Sequence, residues 1–245
     1  EKAPLPFMAL VPAALQKLIA VYLLYRVCVD FFSFDAHSGL SIALLVIASV
    51  TIIIGVMMAL VQKDFKRMVC YLAISQVGYV LLGLGSAMPS GIVGGLFQMF
   101  NLVIVISCLF MIAGSVEKQT GTTDITKLGG LGKAMPITSL CFLLAAFSMA
   151  GVPLFTGFYS QVFVFDGAMQ ANLVFYLIAL LGNFFTALAL LKLGHAVFFG
   201  KAKEGIKAKE VAPAMWLSIA VLAAFTFILG ILNVIIIEGV IQPVV

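Results

Sequence analysis

Long apolar segments separated by short polar loops make up almost the whole chain. A helix of about 20 apolar residues crosses a bilayer core of about 30 Å, and seven segments reach that length. They lie near residues 6–28, 40–62, 68–87, 91–116, 135–165, 171–199 and 212–236. The pattern predicts an all-α polytopic membrane protein with about seven transmembrane helices, forming one transmembrane domain over residues 1–245.

The composition agrees with a membrane protein. Hydrophobic residues make up 63% of the chain and charged residues only 10%, whereas a soluble domain carries about 25% charged residues. The chain begins EKAPLP, with neither a basic stretch nor a cleavage site, so we expect no signal peptide. The missing initiator Met suggests a truncated or processed polypeptide. The net charge of +4 comes mainly from basic residues in the loops between the apolar segments, and no nucleic-acid partner is expected.

The basic residues are divided unequally between the two sides of the predicted membrane. Arg26 lies alone on one side, and Lys17 and Lys192 lie within helices. By the positive-inside rule, the N-terminus is expected inside and the C-terminus outside. The basic residues on the other side are Lys2, Lys63, Lys66, Arg67, Lys118, Lys127, Lys133, Lys201, Lys203, Lys207 and Lys209.

The fifth apolar segment contains helix-breaking residues. Gly151-Val152-Pro153 and Gly157 interrupt a stretch of about 31 residues, residues 135–165, that is too long for one straight helix. We predict two half-helices joined by irregular backbone near the midplane, with a simple proline kink as the alternative. Irregular backbone at that depth needs protein or a wet cavity around it, and it recurs at ion and substrate sites of transporters.

Few charged residues fall inside the apolar segments. Lys17 lies in the middle of segment 6–28, where a charge costs about 2.5–3.5 kcal/mol on insertion scales, and this cost predicts a role in ion translocation. Lys192 and His195 stand three residues apart on one helical face. They could take part in a channel, or Lys192 could reach the helix end and anchor it there.

Neutral amides are the other polar groups at depth. Gln76, Gln98, Asn101 and Gln161 can bridge helices or hold water, but they do not exchange protons near neutral pH. A proton path from Lys17 to the Lys192–His195 face would therefore need water alone or groups from another chain. The cysteines have no spacing typical of a metal, cluster or haem site, so no cofactor, metal or catalytic residue is predicted; they are Cys28, Cys70, Cys108 and Cys141.

Several short motifs occur in one order along the chain. Together they resemble the antiporter-like membrane subunits of respiratory complex I, Mrp-type cation/proton antiporters and group 4 membrane-bound hydrogenases. The matching residues are Gln62–Arg67, Tyr71, Ser75-Gln76, Gly78, Leu109-Phe110, Gly114, Asp124, Leu128–Leu131, Met135-Pro136, Gly151–Pro153, Gly157-Phe158 and Phe198–Gly200.

The resemblance implies a fold, partners and a location. Family members usually have fourteen helices with two inverted five-helix repeats, and this chain resembles helices eight to fourteen, with the second repeat over about residues 40–200. The implied partners are other membrane subunits of a redox or antiporter complex, the lipid bilayer, and H⁺ or Na⁺. The implied location is a prokaryotic plasma membrane or an organellar inner membrane.

The chain departs from the family at positions that usually titrate. Lys17 falls on the family's central lysine. In contrast, Gln76 and Leu102 stand where histidine is common, Ile106 stands where lysine is common, and Gln161 replaces the lysine or glutamate of the broken helix. These departures imply that the half-channel is degenerate and that the role is largely structural or coupling.

Three functions therefore stay open at this point. The first is a structural or coupling membrane subunit of a complex that translocates H⁺ or Na⁺ in connection with electron transfer, with no redox chemistry in this chain. The second is a fully active H⁺ or Na⁺/H⁺ translocating module. The third is an unrelated secondary solute transporter that binds its solute at the helix break.

Overall fold

A computed structural model describes residues 16–31, 38–203 and 208–233, and these residues form helices and connecting loops with no strand. The helices are α1 (Gln16–Phe31), α2 (Gly39–Val61), α3 (Phe65–Gly85), α4 (Pro89–Thr120), α5 (Pro136–Ala150), α6 (Thr156–Ala171), α7 (Leu173–Gly194) and α8 (Pro213–Ile231). After α7 the chain continues as a π-helical turn, His195–Phe199.

The lengths of these helices confirm an all-α polytopic membrane protein. Among the described residues, five helices are long and apolar enough to cross a membrane, namely α2, α3, α4, α8, and α7 with its π-helical turn. The predicted fifth segment is present as α5 and α6, which are separated by residues 151–155. The first predicted segment, residues 6–28, lies partly outside the described residues, and α1 covers its second half.

Local sequence signals explain where the helices begin. Ser38 precedes α2, and its Oγ accepts a hydrogen bond from the Ser41 N–H at 3.2 Å. Asp64 precedes α3, and its Oδ1 accepts a hydrogen bond from the Arg67 N–H at 2.9 Å. These side chains satisfy N–H groups that lack a partner in the first turn. Helices α4, α5 and α8 begin with proline, whose missing N–H is harmless at that position.

Helices α3 and α4 form the centre of the bundle. Helix α3 packs along α2 and α4, α4 packs on α6, and α5 packs on α8. The largest buried apolar cluster joins side chains of α3, α4, α5, α7 and α8. In contrast, large apolar side chains of α2, α7 and α8 point outward, which suits a surface that faces lipid or a neighbouring subunit.

One end of the bundle is tied together by loop hydrogen bonds. The Phe65 N–H donates to the Thr123 carbonyl at 2.9 Å, and the Gly132 N–H donates to the Phe198 carbonyl at 3.0 Å. The Glu210 carboxylate reaches the start of α5, where its Oε1 accepts a hydrogen bond from the Thr138 hydroxyl at 2.6 Å and its Oε2 accepts one from the Ile137 N–H at 3.0 Å. The loop from Gly121 to Met135 is therefore part of the packed structure.

The hydrogen bonds of Asp124 in this loop predict that the stability of the loop depends on pH. The Asp124 carboxylate accepts hydrogen bonds from the Thr126 hydroxyl at 2.6 Å and from the Thr126 N–H at 2.9 Å, and these bonds lower the pKa of Asp124. Because the pKa is lower in the folded state, the ionised group stabilises the loop above the ordinary aspartate pKa of about 3.9. That stabilisation is lost as the pH falls through the folded-state pKa.

We therefore expect acidification below about pH 4 to increase cleavage of the loop by an acid-active protease such as pepsin. Because other carboxylates also titrate there, the readout is the difference between the wild type and Asp124→Asn. The variant should lose part of the pH dependence. Identical pH profiles of the two proteins would show that Asp124 does not contribute.

Candidate functional site

The predicted helix break is present between α5 and α6. Helix α5 ends before Gly151, which has a φ of +75° that favours glycine. The Gly151 N–H donates to the Ser148 carbonyl, and the Val152 N–H donates to the Phe147 carbonyl at 2.9 Å. Pro153 follows within the turn, and α6 begins at Thr156. The break therefore combines a glycine helix end with a proline that prevents α5 from continuing.

Amide side chains satisfy the carbonyl groups at the end of α5. The last carbonyls of a helix lack partners within the helix, and this is costly in an apolar environment. Gln161 Nε2 on α6 donates to the Met149 carbonyl at 3.0 Å, and Asn183 Nδ2 on α7 donates to the Ala150 carbonyl at 3.3 Å. Gln161, at a position where the resemblance implies a charged residue, thus caps the C-terminal end of α5.

A second group of polar atoms joins α4, α5 and the start of α6. The Ser148 hydroxyl donates to Asn101 Oδ1 at 2.8 Å, and the Gly157 N–H donates to Ser148 Oγ at 3.3 Å. A Cβ atom at Gly157 would lie 1.7 Å from the Ser148 carbonyl oxygen. Only glycine at this position lets α6 approach α5 so closely.

A chain of neutral side chains crosses the bundle beside this group. Gln98 Nε2 donates to Gln76 Oε1 at 2.6 Å, and the Ser160 hydroxyl donates to Gln98 Oε1. All three side chains are buried, and they link α3, α4 and α6. Two atoms in the region have no hydrogen-bond partner among the described residues, Gln76 Nε2 and Asn183 Oδ1. Each is a position where a water molecule would be hydrogen-bonded.

The buried polar side chains of the described helices are all uncharged hydroxyls and amides. No Asp, Glu, His, Lys or Arg is buried within residues 19–27, 38–203 and 208–233. Leu102 and Ile106, at positions where the resemblance implies histidine and lysine, are buried at 2% and 0% exposure in the largest apolar cluster. The interior of this part of the bundle is therefore held by neutral hydrogen bonds.

Lys192 and His195 lie on the outside of the bundle. Lys192 Nζ donates to the Leu60 carbonyl at 2.5 Å and to the Gln62 carbonyl at 3.1 Å, which places its charge at the C-terminal end of α2. A cation is favourable there because the helix dipole leaves partial negative charge on these carbonyls. His195 is exposed at the start of the π-helical turn. The structure does not join either residue to the buried amides, and this geometry favours the anchoring role.

The capping geometry of Lys192 predicts a change in stability. We expect Lys192→Met to lower the free energy of unfolding by about 0.3–1 kcal/mol, because the carbonyls at the end of α2 lose their cation. Lys192→Arg is the matched control, since it keeps the charge. Thermal unfolding in detergent measures the effect. If Lys192→Met reduced ion translocation while its stability stayed unchanged, the channel role would be favoured instead.

Lys17 lies in the described backbone of α1, but its side chain is outside the described part of the chain. Helix α1 contacts α3 and α4, where Val21 and Tyr25 pack in a buried cluster that includes Val80 and Phe97. The ion-translocation role of Lys17 stays a prediction.

Ser148, Ser160 and Asn183 belong to the site although the sequence did not single them out. Small hydroxyl residues in helices often bond to their own backbone, so their presence alone does not indicate a contact between helices. Asn183 is an amide within an apolar segment, as Gln161 is, and the same signal could have found it.

Comparison with known proteins gives the family. A family profile described as NADH:quinone oxidoreductase/Mrp antiporter, TM matches residues 1–186. A subunit of the Na⁺/H⁺ antiporter of Alkalihalophilus pseudofirmus is 33% identical over 229 residues, which cover 93% of this chain and 46% of the antiporter protein. A subunit of the NADH-quinone oxidoreductase of Desulforudis audaxviator is 31% identical over an alignment of 256 positions, which covers 98% of this chain and 50% of the oxidoreductase protein.

The fold is also similar to that of solved membrane complexes. A chain of the membrane-bound sulfane sulfur reductase, an archaeal respiratory membrane complex, superposes with a TM-score of 0.85 at 25% identity over 94% of this chain and 40% of that chain. The chain thus spans about half the length, or less, of the relatives it matches. The profile match over most of its length shows that this chain belongs to the transmembrane family of NADH:quinone oxidoreductase and Mrp antiporter subunits.

Proposed function

We propose that this chain is a membrane subunit of a complex of the Mrp or complex I type that translocates H⁺ or Na⁺, and that its described helices brace and couple the complex without conducting protons themselves. The family match supports the membrane-subunit role, and the multi-subunit nature of the similar complexes supports other membrane subunits as partners. Residues 1–245 would form the second half of a longer subunit, with the second repeat over about residues 40–200.

One observation carries the structural role. The interior of the described bundle contains three sets of neutral contacts, in which amides and hydroxyls bond to each other and to the backbone of the helix break. Proton transfer between protein groups needs side chains that take up and release protons near the working pH. Amides do not do so, whereas they hold helices together well.

An orientation with the N-terminus inside is part of the same proposal. The basic residues of the described loops share the end of the bundle where α2 ends and α3, α5 and α8 begin. By the positive-inside rule, that end faces the cytoplasmic or matrix side.

An active proton path is the second candidate. Gln76 Nε2 and Asn183 Oδ1 have no partner within the described part of the chain, and waters on these atoms would extend the amide chain toward neighbouring helices. Membership of the family removes the third reading, an unrelated solute transporter.

Removal of the amide chain separates the two candidates. In native membrane vesicles that contain the assembled complex, we expect Gln76→Leu/Gln98→Leu to keep ion translocation per assembled complex within about twofold of the wild type. Replacing both partners of a buried hydrogen bond by apolar groups of similar shape can be nearly neutral for stability. Fluorescence quenching by a pH-sensitive dye measures translocation, and native gel electrophoresis measures assembly.

The matched control is Gln170→Leu, since Gln170 is an exposed amide on α6 whose Nε2 donates to Asp166 Oδ2 at 2.8 Å. Lys17→Ala forms a second arm. Loss of translocation with intact assembly, in either the double variant or Lys17→Ala, would favour the active path. Loss of assembly alone in Lys17→Ala, with translocation retained in the assembled fraction, supports the bracing role.

A further inference from the structure

An apolar groove runs between α5 and α7 on the outside of the bundle. It has a volume of about 410 Å³, and His195 and Phe199 lie among its lining residues. Phe147 and Leu191 are exposed at 43% and 68%, so the groove opens outward. The other lining residues used here are Phe142, Ala146, Ala187 and Leu190.

A polar cavity adjoins this groove at Phe199, which lines both. The cavity has a volume of about 520 Å³, and its lining includes Lys133, Ser139, Lys201 and backbone of the glycine-rich loop. Among the described residues, no acidic side chain lines it. In the same part of the chain, neither lysine forms an ion pair and the Ser139 hydroxyl makes no hydrogen bond.

We propose that this pair of cavities binds one anionic phospholipid, with an acyl chain in the groove and the phosphate headgroup between Lys133 and Lys201. The charge of the polar cavity fits an anion, and the groove fits a hydrocarbon chain. The two are contiguous at the end of the bundle where the basic loops lie, and a lipid likewise joins its headgroup to its chains at the membrane surface.

The lining and shape of the groove suit an acyl chain. Its lining residues are almost all apolar, and it opens outward between α5 and α7. An acyl chain is thin and flexible, so it can enter there without displacing either helix.

Native mass spectrometry of the full chain in detergent tests the headgroup part of the proposal. Phosphatidylglycerol and phosphatidylcholine with identical acyl chains are compared as probes. Each lysine near an anionic headgroup raises affinity about fivefold, so Lys133→Ala/Lys201→Ala should weaken phosphatidylglycerol binding about 25-fold. Phosphatidylcholine also has a phosphate, but its choline group cancels that charge, so its binding should weaken much less. The matched control is Lys118→Ala/Lys127→Ala, which removes two exposed lysines from the same end but outside the cavity.

The acyl-chain part is tested by filling the groove. Ala187→Phe should weaken the binding of both lipids, whereas Ala224→Phe on the exposed face of α8 should not. In the wild type, a phosphatidylglycerol with a photoreactive acyl chain should cross-link to α5 and α7. This measurement needs no variant, so misfolding of a variant cannot affect it.

Three results would overturn the proposal. One is an equal loss of phosphatidylglycerol binding in both lysine double variants, which would indicate general attraction to a basic surface. Another is unchanged binding of both lipids in the Ala187→Phe variant. The third is cross-linking of the photoreactive lipid only to helices other than α5 and α7.

Discussion

Replacing Gly157 by alanine is expected to prevent the normal packing of α5 against α6. The new Cβ atom would lie 1.7 Å from the Ser148 carbonyl oxygen and 3.0 Å from Asn101 Nδ2, so backbone has to move. Overpacking of a well-packed site costs about 1–3 kcal/mol and sometimes more. Here the movement also strains the hydrogen bond from the Gly157 N–H to Ser148 Oγ. We therefore expect an effect of at least about 3 kcal/mol.

Thermal unfolding in detergent and the yield of assembled complex measure this loss. Gly39→Ala is the matched control, because a Cβ atom at Gly39 meets nothing within 4 Å and alanine is the better helix former. If Gly157→Ala unfolded at the same temperature as the wild type, this would show that α5 and α6 do not pack so closely.

Replacing Ile106 by the lysine that the resemblance implies is expected to destabilise the protein strongly. Ile106 has 0% exposure and belongs to the largest buried apolar cluster, and Leu102, one helical turn away, is also apolar. A buried charge without a partner costs about 3–5 kcal/mol, so Ile106→Lys should reduce the yield of assembled complex severely. Any complex that does form should show no gain in ion translocation.

Ile106→Met is the matched control for this prediction, since a volume-conserving apolar exchange costs less than about 1.5 kcal/mol. The yield of assembled complex and the translocation rate per complex are measured together. A stable Ile106→Lys complex with faster translocation would show that this half of the subunit keeps a proton path that needs only the missing base.

The contrast between Gln161 and Lys192 shows how the same feature, a helix end, is satisfied inside and outside the bundle. Inside, Gln161 and Asn183 donate neutral amide hydrogen bonds to the last carbonyls of α5. Outside, Lys192 donates a charged hydrogen bond to the last carbonyls of α2. Burial of a charge is costly and its exposure is not, so neutral caps are suited to the interior.

The sequence by itself determined the all-α membrane class, most helix positions and the break at Gly151–Pro153. These features follow from local chemistry, since apolar length sets a span and glycine and proline end a helix wherever they occur. The motifs between Gln62 and Gly200 also indicated the family that the profile match shows. The positions of the basic loops along the chain also predicted the orientation of the chain in the membrane, again from local sequence alone.

Only the tertiary structure decided which groups the polar side chains contact. Lys192 bonds to a carbonyl 132 residues away, Gln76 Oε1 accepts its hydrogen bond from a residue 22 positions away, and Gln161 reaches back 12 residues to the helix end. Such partners depend on the rotation and packing of whole helices, which neither the apolar length nor the spacing of one segment specifies. For that reason the sequence could name these amides and Lys192 but could not give their hydrogen-bond partners.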